Sequence, residues 1–343
     1  MLECVLGPCR SAPSAEWTVA EAAHEAAYRG PPTPTWTARM TGTSGATGYR
    51  RCMLIAAALI PGTVLLVPGA GGRDDEATDV IRHAATGAVE AMLRMGVDSV
   101  VVIAPAQVDR HLVTGWQAGL GEVGIGDGQV RWPLPARPEV GHDPGRSAHV
   151  DVEVRAVAGL RGLESHSSGA RPVPQIVSAV GSAALALVAH AMPDDRAGDL
   201  EILEVREPGR GARTGTPRAE ELRERGRALL RSGSHDALGL VVAGSLSARN
   251  GQDAPLAADD RAPGLDGAVV ADLLDGGAEA RRRLGNLDPD VAADLGMSGW
   301  APWQVLVGAC GALGTVEVER AHVDRCHGVV HVSASWRCTE VRA

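Results

Sequence analysis

The chain reads as an α/β protein with three layers, helices on both faces of a mixed, mostly parallel central sheet. Two observations carry that reading. From Met53 onward, short apolar runs bounded by Gly or Pro alternate with longer stretches of helical periodicity. The first three of these segments form a β-α-β unit, which joins neighbouring parallel strands by a right-handed crossover.

Taken in order, Leu54 to Ile60 predicts a buried strand and Asp75 to Met95 a helix with an acid-rich first turn. SVVVIAP (Ser99 to Pro105) predicts a strand ending in a proline turn. VDVEVRAV (Val150 to Val157) continues as a strand, and IVSAVGSAALALVAHAM (Ile176 to Met192) as a helix. LEILEV (Leu200 to Val205), PRAEELRERGRALL (Pro217 to Leu230) and ALGLVVAG (Ala237 to Gly244) then read as strand, helix and strand. Two or three helices fill Gly264 to Leu313, and TVEVERAHV and GVVHVSASW close the chain as strands. Ligands of such sheets bind beyond the carboxyl ends of the strands, which singles out the loops after Ile60, Ile103 and Val242.

With 343 residues and 45% hydrophobic content, the chain can bury a large core. Phe and Lys are absent and both tyrosines precede residue 50. We read that as the codon bias of a GC-rich genome. The core must therefore be packed with Val, Leu, Ala and a few of the seven tryptophans. The net charge is -9, and the first 52 residues hold 5 Arg against 4 acids, so the acidic excess lies in the body. An acidic surface with no basic, aromatic-interleaved stripe argues against nucleic-acid binding.

Residues 1–52 are rich in Gly, Pro, Ser and Thr, with too little apolar surface to offset the entropy of ordering. They read as a low-complexity tail, or as translated sequence upstream of a start at Met53, and residues 53–343 as a single α/β domain. A competing reading takes Arg50-Arg51 with Leu54 to Val67 as a secretory signal or membrane span. The run is short for a span and Pro61-Gly62 interrupts it, so a buried strand, no membrane and a cytoplasmic location are expected. The six cysteines show no CxxC spacing and read as reduced, unconnected thiols.

Three segments share a resemblance. AAALIPGTVLLVPGAGG resembles the start of proteins of the LigB-like family of class III extradiol ring-cleavage dioxygenases. The similarity is to an actinobacterial branch whose first strand runs into a Pro-His-Pro turn and an LLVPE-like segment; Leu65, Leu66, Val67 and Pro68 match. VAGSLSARNGQDAPLAADDRAPGLDGAV resembles the branch's GDGSARR-like loop and the helix start that follows it. Gly244, Ser247, Ala248, Arg249, Ala254, Pro255, Asp259, Arg261, Ala262 and Asp266 hold that pattern. GWAPWQVLVGACGAL resembles its closing helix.

The resemblance implies the family's α/β/α fold and a non-haem Fe(II) held by two histidines and a carboxylate, open to a catecholate and O₂. It also implies a further histidine as acid/base. Carried over by position, the first histidine falls at or beside Gly62, in Ile60-Pro61-Gly62-Thr63, and the second at Ala104-Pro105-Ala106. The acid/base loop, Gly244 to Ala248, holds Ser245 and Ser247 in place of histidine. Glycine and alanine cannot ligate iron, so no cofactor is expected at these positions. The cleft by family position is lined by Pro61, Gly62, Pro105, Ala106, Gly244, Ser245 and Ser247.

The reading that follows is a degenerate family member that binds a small aromatic molecule or a partner, with homo- or hetero-oligomers in scope. The alternative is an active Fe(II) dioxygenase with a relocated metal site, for which Glu164, His166 and His142 are the candidates, with Asp143 and His149 nearby. A solvated polar loop is the plainer reading of those residues. The C-terminal His322, Cys326, His327, His331 and Cys338 suggest zinc. Residues four apart on one strand are roughly 13 Å apart, so chelation requires separate elements to bring the side chains together.

No phosphate or nucleophile motif is complete. Gly69, Gly71 and Gly72 meet Asp74 where a dinucleotide fingerprint needs glycine, and no Walker lysine or nucleophile elbow exists. His83 reads as a surface residue of an amphipathic helix. Trp300 and Trp303, flanking Pro302 at a helix start, read as core anchors.

Overall fold

A computed structural model describes residues 53–70, 76–113, 116–124, 175–192, 200–208, 215–232 and 237–340. The strand expected at Val150 to Val157 and the tail expected at 1–52 lie outside them.

The sheet has seven strands: β1 (Met53–Ile60), β2 (Ser99–Ala106), β3 (Arg110–Leu112), β6 (Leu200–Arg206), β7 (Ala237–Ala243), β8 (Leu313–Cys326) and β9 (Val329–Glu340). β4 (Trp116–Gln117) and β5 (Gln175–Ile176) pair separately. The order is β3-β6-β2-β7-β1-β9-β8. β6, β2, β7 and β1 are mutually parallel, while β3, β9 and β8 add antiparallel edges. The sheet is therefore mixed and mostly parallel, as the alternation of segments predicts.

Period-two burial divides the apolar residues of the strands between two cores. Ala56, Ala58, Ile60, Val100, Val102, Ile202 and Val241 face α1 (Glu76–Arg94) and α2 (Ala179–Ala191). Leu54, Leu59, Val101, Ile103, Leu203, Leu240 and Val242 face the other way. That side is covered by α3 (Gly215–Ser232), α4 (Ala262–Asp275), α5 (Ala278–Gly285), α6 (Pro289–Leu295) and α7 (Trp300–Ala309). Three layers result. Of the run Leu54 to Val67 that also reads as a signal or a span, Leu54 to Ile60 lies in β1, between β7 and β9 in the sheet interior, and Val64–Leu66 forms a short 3-10 turn.

Trp300 and Trp336 are fully buried, and each indole N–H reaches a backbone carbonyl, Leu287 at 2.8 Å and Leu273 at 2.9 Å. Burying an aromatic this large adds core area without leaving an unpaired donor. The expectation of core anchors holds for Trp300 and for Trp303, which is 3% exposed.

Several boundaries differ from the sequence reading. The helix read from Ile176 begins at Ala179, because the Ser178 hydroxyl accepts the Gly181 N–H at 3.2 Å and caps it. Four helices, not two or three, lie between Ala262 and Ala309. β2 does not turn at Pro105 but continues to Ala106, pairing Pro105 with Val205. Its ladder with β7 stops at Ile103, so beyond that point β2 has a free side on which a missing N–H is tolerated.

On the outer layer, α3 crosses α7 at two glycines. A Cβ on Gly226 would sit 2.0 Å from the Val305 carbonyl oxygen, and one on Gly308 2.0 Å from the Arg223 carbonyl oxygen. Alanine is the better helix former by roughly 1 kcal/mol. That gain is smaller than the cost of separating two packed helices, about 1–3 kcal/mol or more. We predict that Gly308→Ala lowers the urea midpoint with an unchanged m-value; equal or higher stability would contradict the close crossing.

Candidate functional site

The parallel strands β1, β2, β6 and β7 all end at one edge of the sheet, the edge at which ligands of α/β folds converge. β1 runs into Pro61 and Gly62, both buried or nearly so. Thr63 then caps a short 3-10 turn, its hydroxyl accepting the Leu65 N–H at 3.2 Å. β7 runs into Gly244, whose N–H donates to the Ile60 carbonyl at 3.0 Å.

The space between these two strand ends is filled by backbone. A Cβ on Gly62 would lie 3.0 Å from Gly244 Cα, and one on Gly244 would lie 2.7 Å from Gly299 Cα. One on Gly299 would lie 2.3 Å from Trp303 Cζ2. Gly62, Gly244, Gly299 and the Trp303 ring thus form a continuous stack. Hydrogen bonds tie it together: the Ser245 hydroxyl donates to the Gly62 carbonyl at 3.1 Å, and Gly299 N–H donates to the Ser245 carbonyl at 3.1 Å. Ser245 N–H donates to the Ser298 hydroxyl at 3.3 Å. At Gly62 the space a side chain would take is occupied by the main chain of Gly244.

The other residues of the expected cleft are likewise engaged. Pro105 is a buried strand residue whose carbonyl accepts from the Ser178 hydroxyl at 3.2 Å, and Ala106 is half-buried at the strand end. Ser247 is fully buried. Its hydroxyl donates to the Leu295 carbonyl at 3.2 Å and accepts the Arg249 N–H at 3.0 Å, which leaves it no role as a nucleophile. Its own N–H donates to Asp266, a buried carboxylate that also accepts from the Asn250 amide at 2.6 Å. Burial raises the Asp266 pKa against the pull of those donors and of Arg325. The loop from Gly244 to Arg261 ties its polar groups to itself and to Asp266 of α4.

Glu207, absent from the expected cleft, is a titratable group at this edge. It follows the last residue of β6 and is half-buried, and both carboxyl oxygens accept the Ala301 N–H in the first turn of α7, at 3.2 and 3.3 Å. Burial pushes its pKa up to about 8, against the opposing pull of the Ala301 N–H and the Arg218 charge. A carboxyl group there carries its proton at neutral pH. The sequence signal was present: LEILEVRE ends a strand in an acid at the carboxyl edge, but the loop after β6 was not among those singled out.

Beside it, Asp109 accepts from Arg218 at 2.6 Å and from the Arg206 N–H at 2.7 Å. Burial alone would raise the Asp109 pKa; the bonds from Arg218 and Arg206 and the charge of Arg225 outweigh it and hold the group below the usual carboxylate range. Two carboxylates near one strand end are thus set apart, one ionised and one protonated.

The histidines and cysteines of the C-terminal hairpin do not gather as one zinc site. The register sets His322 opposite Ser333, Asp324 opposite His331 and Cys338 opposite Val316, so His331 and Cys338 point to opposite faces. Burial favours the neutral form of His331, against the pull of the Cys326 backbone and Asp324. Cys338 hydrogen-bonds Cys310, and that contact together with full burial raises the Cys310 thiol well above its usual range, which makes it a poor nucleophile. Among the described residues no group of three His, Cys, Asp or Glu side chains is arranged to hold a metal ion. His142, Glu164 and His166, with Asp143 and His149, lie outside the described residues.

Glu207 gives a signed pH dependence. Its pKa is higher folded (about 8) than unfolded (near 4.5), so the native state binds more protons between those values and loses stability as pH rises through that window. Glu207→Gln keeps a carbonyl oxygen for the Ala301 N–H and removes the titration. We predict that unfolding midpoints of the variant fall less than those of the wild type from pH 5 to pH 8.5; parallel profiles would contradict a raised Glu207.

No family model matches the chain, and no curated protein matches it. Among solved structures, it is similar to the crystal structure of uncharacterized protein JW3007 from Escherichia coli K12, with a TM-score of 0.40 and 12% sequence identity over 82% of this chain and 99% of that chain.

Proposed function

We propose that this chain is a protein similar to the LigB-like class III extradiol dioxygenases that holds no Fe(II) at that family's usual position and serves to bind a small aromatic molecule or a protein partner. The observation that carries the proposal is the packing of Gly62 on Gly244. The residue that stands where the first imidazole would be has no side chain, and its neighbour leaves little room for one. Ala104, Pro105 and Ala106, at the second position, offer no metal-binding group either.

The α/β/α architecture and the convergence of four parallel strand ends support a ligand at the carboxyl edge. There, Glu207 in its protonated form would donate a hydrogen bond to a phenol or carbonyl oxygen, and the Asp109–Arg218 pair would supply a fixed dipole nearby. We assign the protein to the cytoplasm, which fits cysteines Cys310, Cys326 and Cys338 that form no disulfide. Among the described residues no helix is long and apolar enough to cross a membrane.

The test is anaerobic purification of the full chain, reconstitution with Fe(II), and measurement of bound iron and catechol-dependent O₂ uptake. The proposal predicts sub-stoichiometric iron and no uptake above the buffer rate. Stoichiometric iron with a ring-opened product would overturn it and favour the relocated site at His142, Glu164 and His166.

A further inference from the structure

The seven-stranded sheet ends on β8, and among the described residues no strand pairs with its outer side. β8 runs for 14 residues, and every second residue of an edge strand directs its N–H and C=O away from the sheet, where a further strand can take them. α1 does not cover this edge: an open cavity separates Asp79, Val80 and His83 of the helix from Arg320, Ala321 and His322. Val323, farther along the strand, is 42% exposed.

The register with β9 assigns each side chain of β8 to a face. Arg320, His322 and Asp324 stand opposite Ser335, Ser333 and His331, and Ser335 stands opposite Ala58, which belongs to the core under α1. These three residues therefore share the α1 face. Ala321 and Val323 stand opposite Ala334 and Val332, members of the other core, and share the far face.

Charges on an edge strand ordinarily keep a passing strand away. Here a cation and an acid lie four residues apart on one face, with His322 midway. Two copies of the strand laid antiparallel about His322 set Arg320 of each opposite Asp324 of the other, and opposite charges so placed attract. On the far face, Ala321 of each copy meets Val323 of the other. His322 meets its own copy on the axis. Its Nε2 is buried without a hydrogen-bond partner, at 3.9 Å too far from Asp324, and a facing imidazole supplies one. Asp324 accepts the Arg325 N–H at 2.7 Å through one oxygen, which leaves the other for Arg320.

Other two-fold registers lack this match. An axis normal to the sheet keeps each face on its own side, so it must pass beside a residue rather than between two. Centred on Arg320 or Asp324, it opposes like charges; on Ala321, it sets Arg320 against His322; on Val323, it sets Arg320 against Cys326. Glu319 and Arg325, the next residues outward, are engaged within the chain by Arg337 and Asn250.

We propose that a second copy of this chain adds to β8, strand antiparallel to strand about His322, and joins the two sheets into one across a two-fold axis. The interface is isologous, the same residues serving on both sides.

The experiment is sedimentation velocity on the full chain at micromolar concentration, comparing wild type, Asp324→Arg, Arg320→Asp and an equal mixture of the two variants. The wild type is expected to sediment as a dimer. Either variant alone opposes like charges at both pairs, and its dimer dissociation constant is expected to rise by about tenfold or more. In the mixture every pair is again of opposite sign, so dimers of one variant with the other are expected to re-form at close to the wild-type affinity. Unfolding midpoints serve as the folding control. Asp324→Arg keeps the test usable if Arg320→Asp, which loses the packing of Arg320 on Gly87, unfolds. A monomeric wild type, a folded Asp324→Arg variant that dimerises as tightly as the wild type, or two folded variants that do not combine would overturn the proposal.

Discussion

The contact on which the carboxyl edge depends is that of Gly62, Gly244 and Gly299 stacked main chain on main chain against the Trp303 ring. It lets the end of β7 and the start of α7 approach more closely than a Cβ on Gly244 would allow, and leaves little room for one on Gly62. Because α7 starts there, its second residue offers an N–H to Glu207 at the end of β6. The same three glycines thus close one part of the edge and set the environment of its one strongly raised carboxyl group among the described residues. Interiors are packed densely enough that a methyl group at such a point is felt.

The carboxylates around the sheet show how one residue type takes several states in one fold. Glu204, fully buried in β6, pairs with Arg110 and accepts the Ser178 N–H at 2.6 Å. Asp109 is held ionised by guanidinium and amide donors, and the amide donors of Asp266 are outweighed by burial. Glu207, bonded by one backbone N–H, keeps its proton to about pH 8. The number and charge of the donors, set against desolvation, orders them.

How much of this the sequence contained varied with the range of the interaction. Ala56, Ala58 and Ile60 on one face and Ala57 and Leu59 on the other follow from strand periodicity, which made β1, β2, β6, β7 and their helices legible; Leu54 joins the second face only through an irregularity before Ala56. The short strands β3, β4 and β5 were not, since two or three residues carry no period and their pairing depends on partners far away in sequence. The start of α2 at Ser178 was a local capping signal overlooked within an apolar run. The absence of imidazole at Gly62 could be read directly. That Gly244 and Gly299 fill the space could not, because three residues separated by up to 237 positions meet only in the fold.

At the end of β1, position 62 carries no ligand side chain, and Gly244 leaves little room for one. The most direct measurement is on the variant Gly62→His combined with Ala106→His, by anaerobic Fe(II) titration together with urea unfolding. The expected result is a lowered unfolding midpoint and no stoichiometric iron, because Gly244 is itself pinned against Gly299 and cannot yield to a side chain at 62. A variant as stable as the wild type that binds one Fe(II) per chain would contradict it.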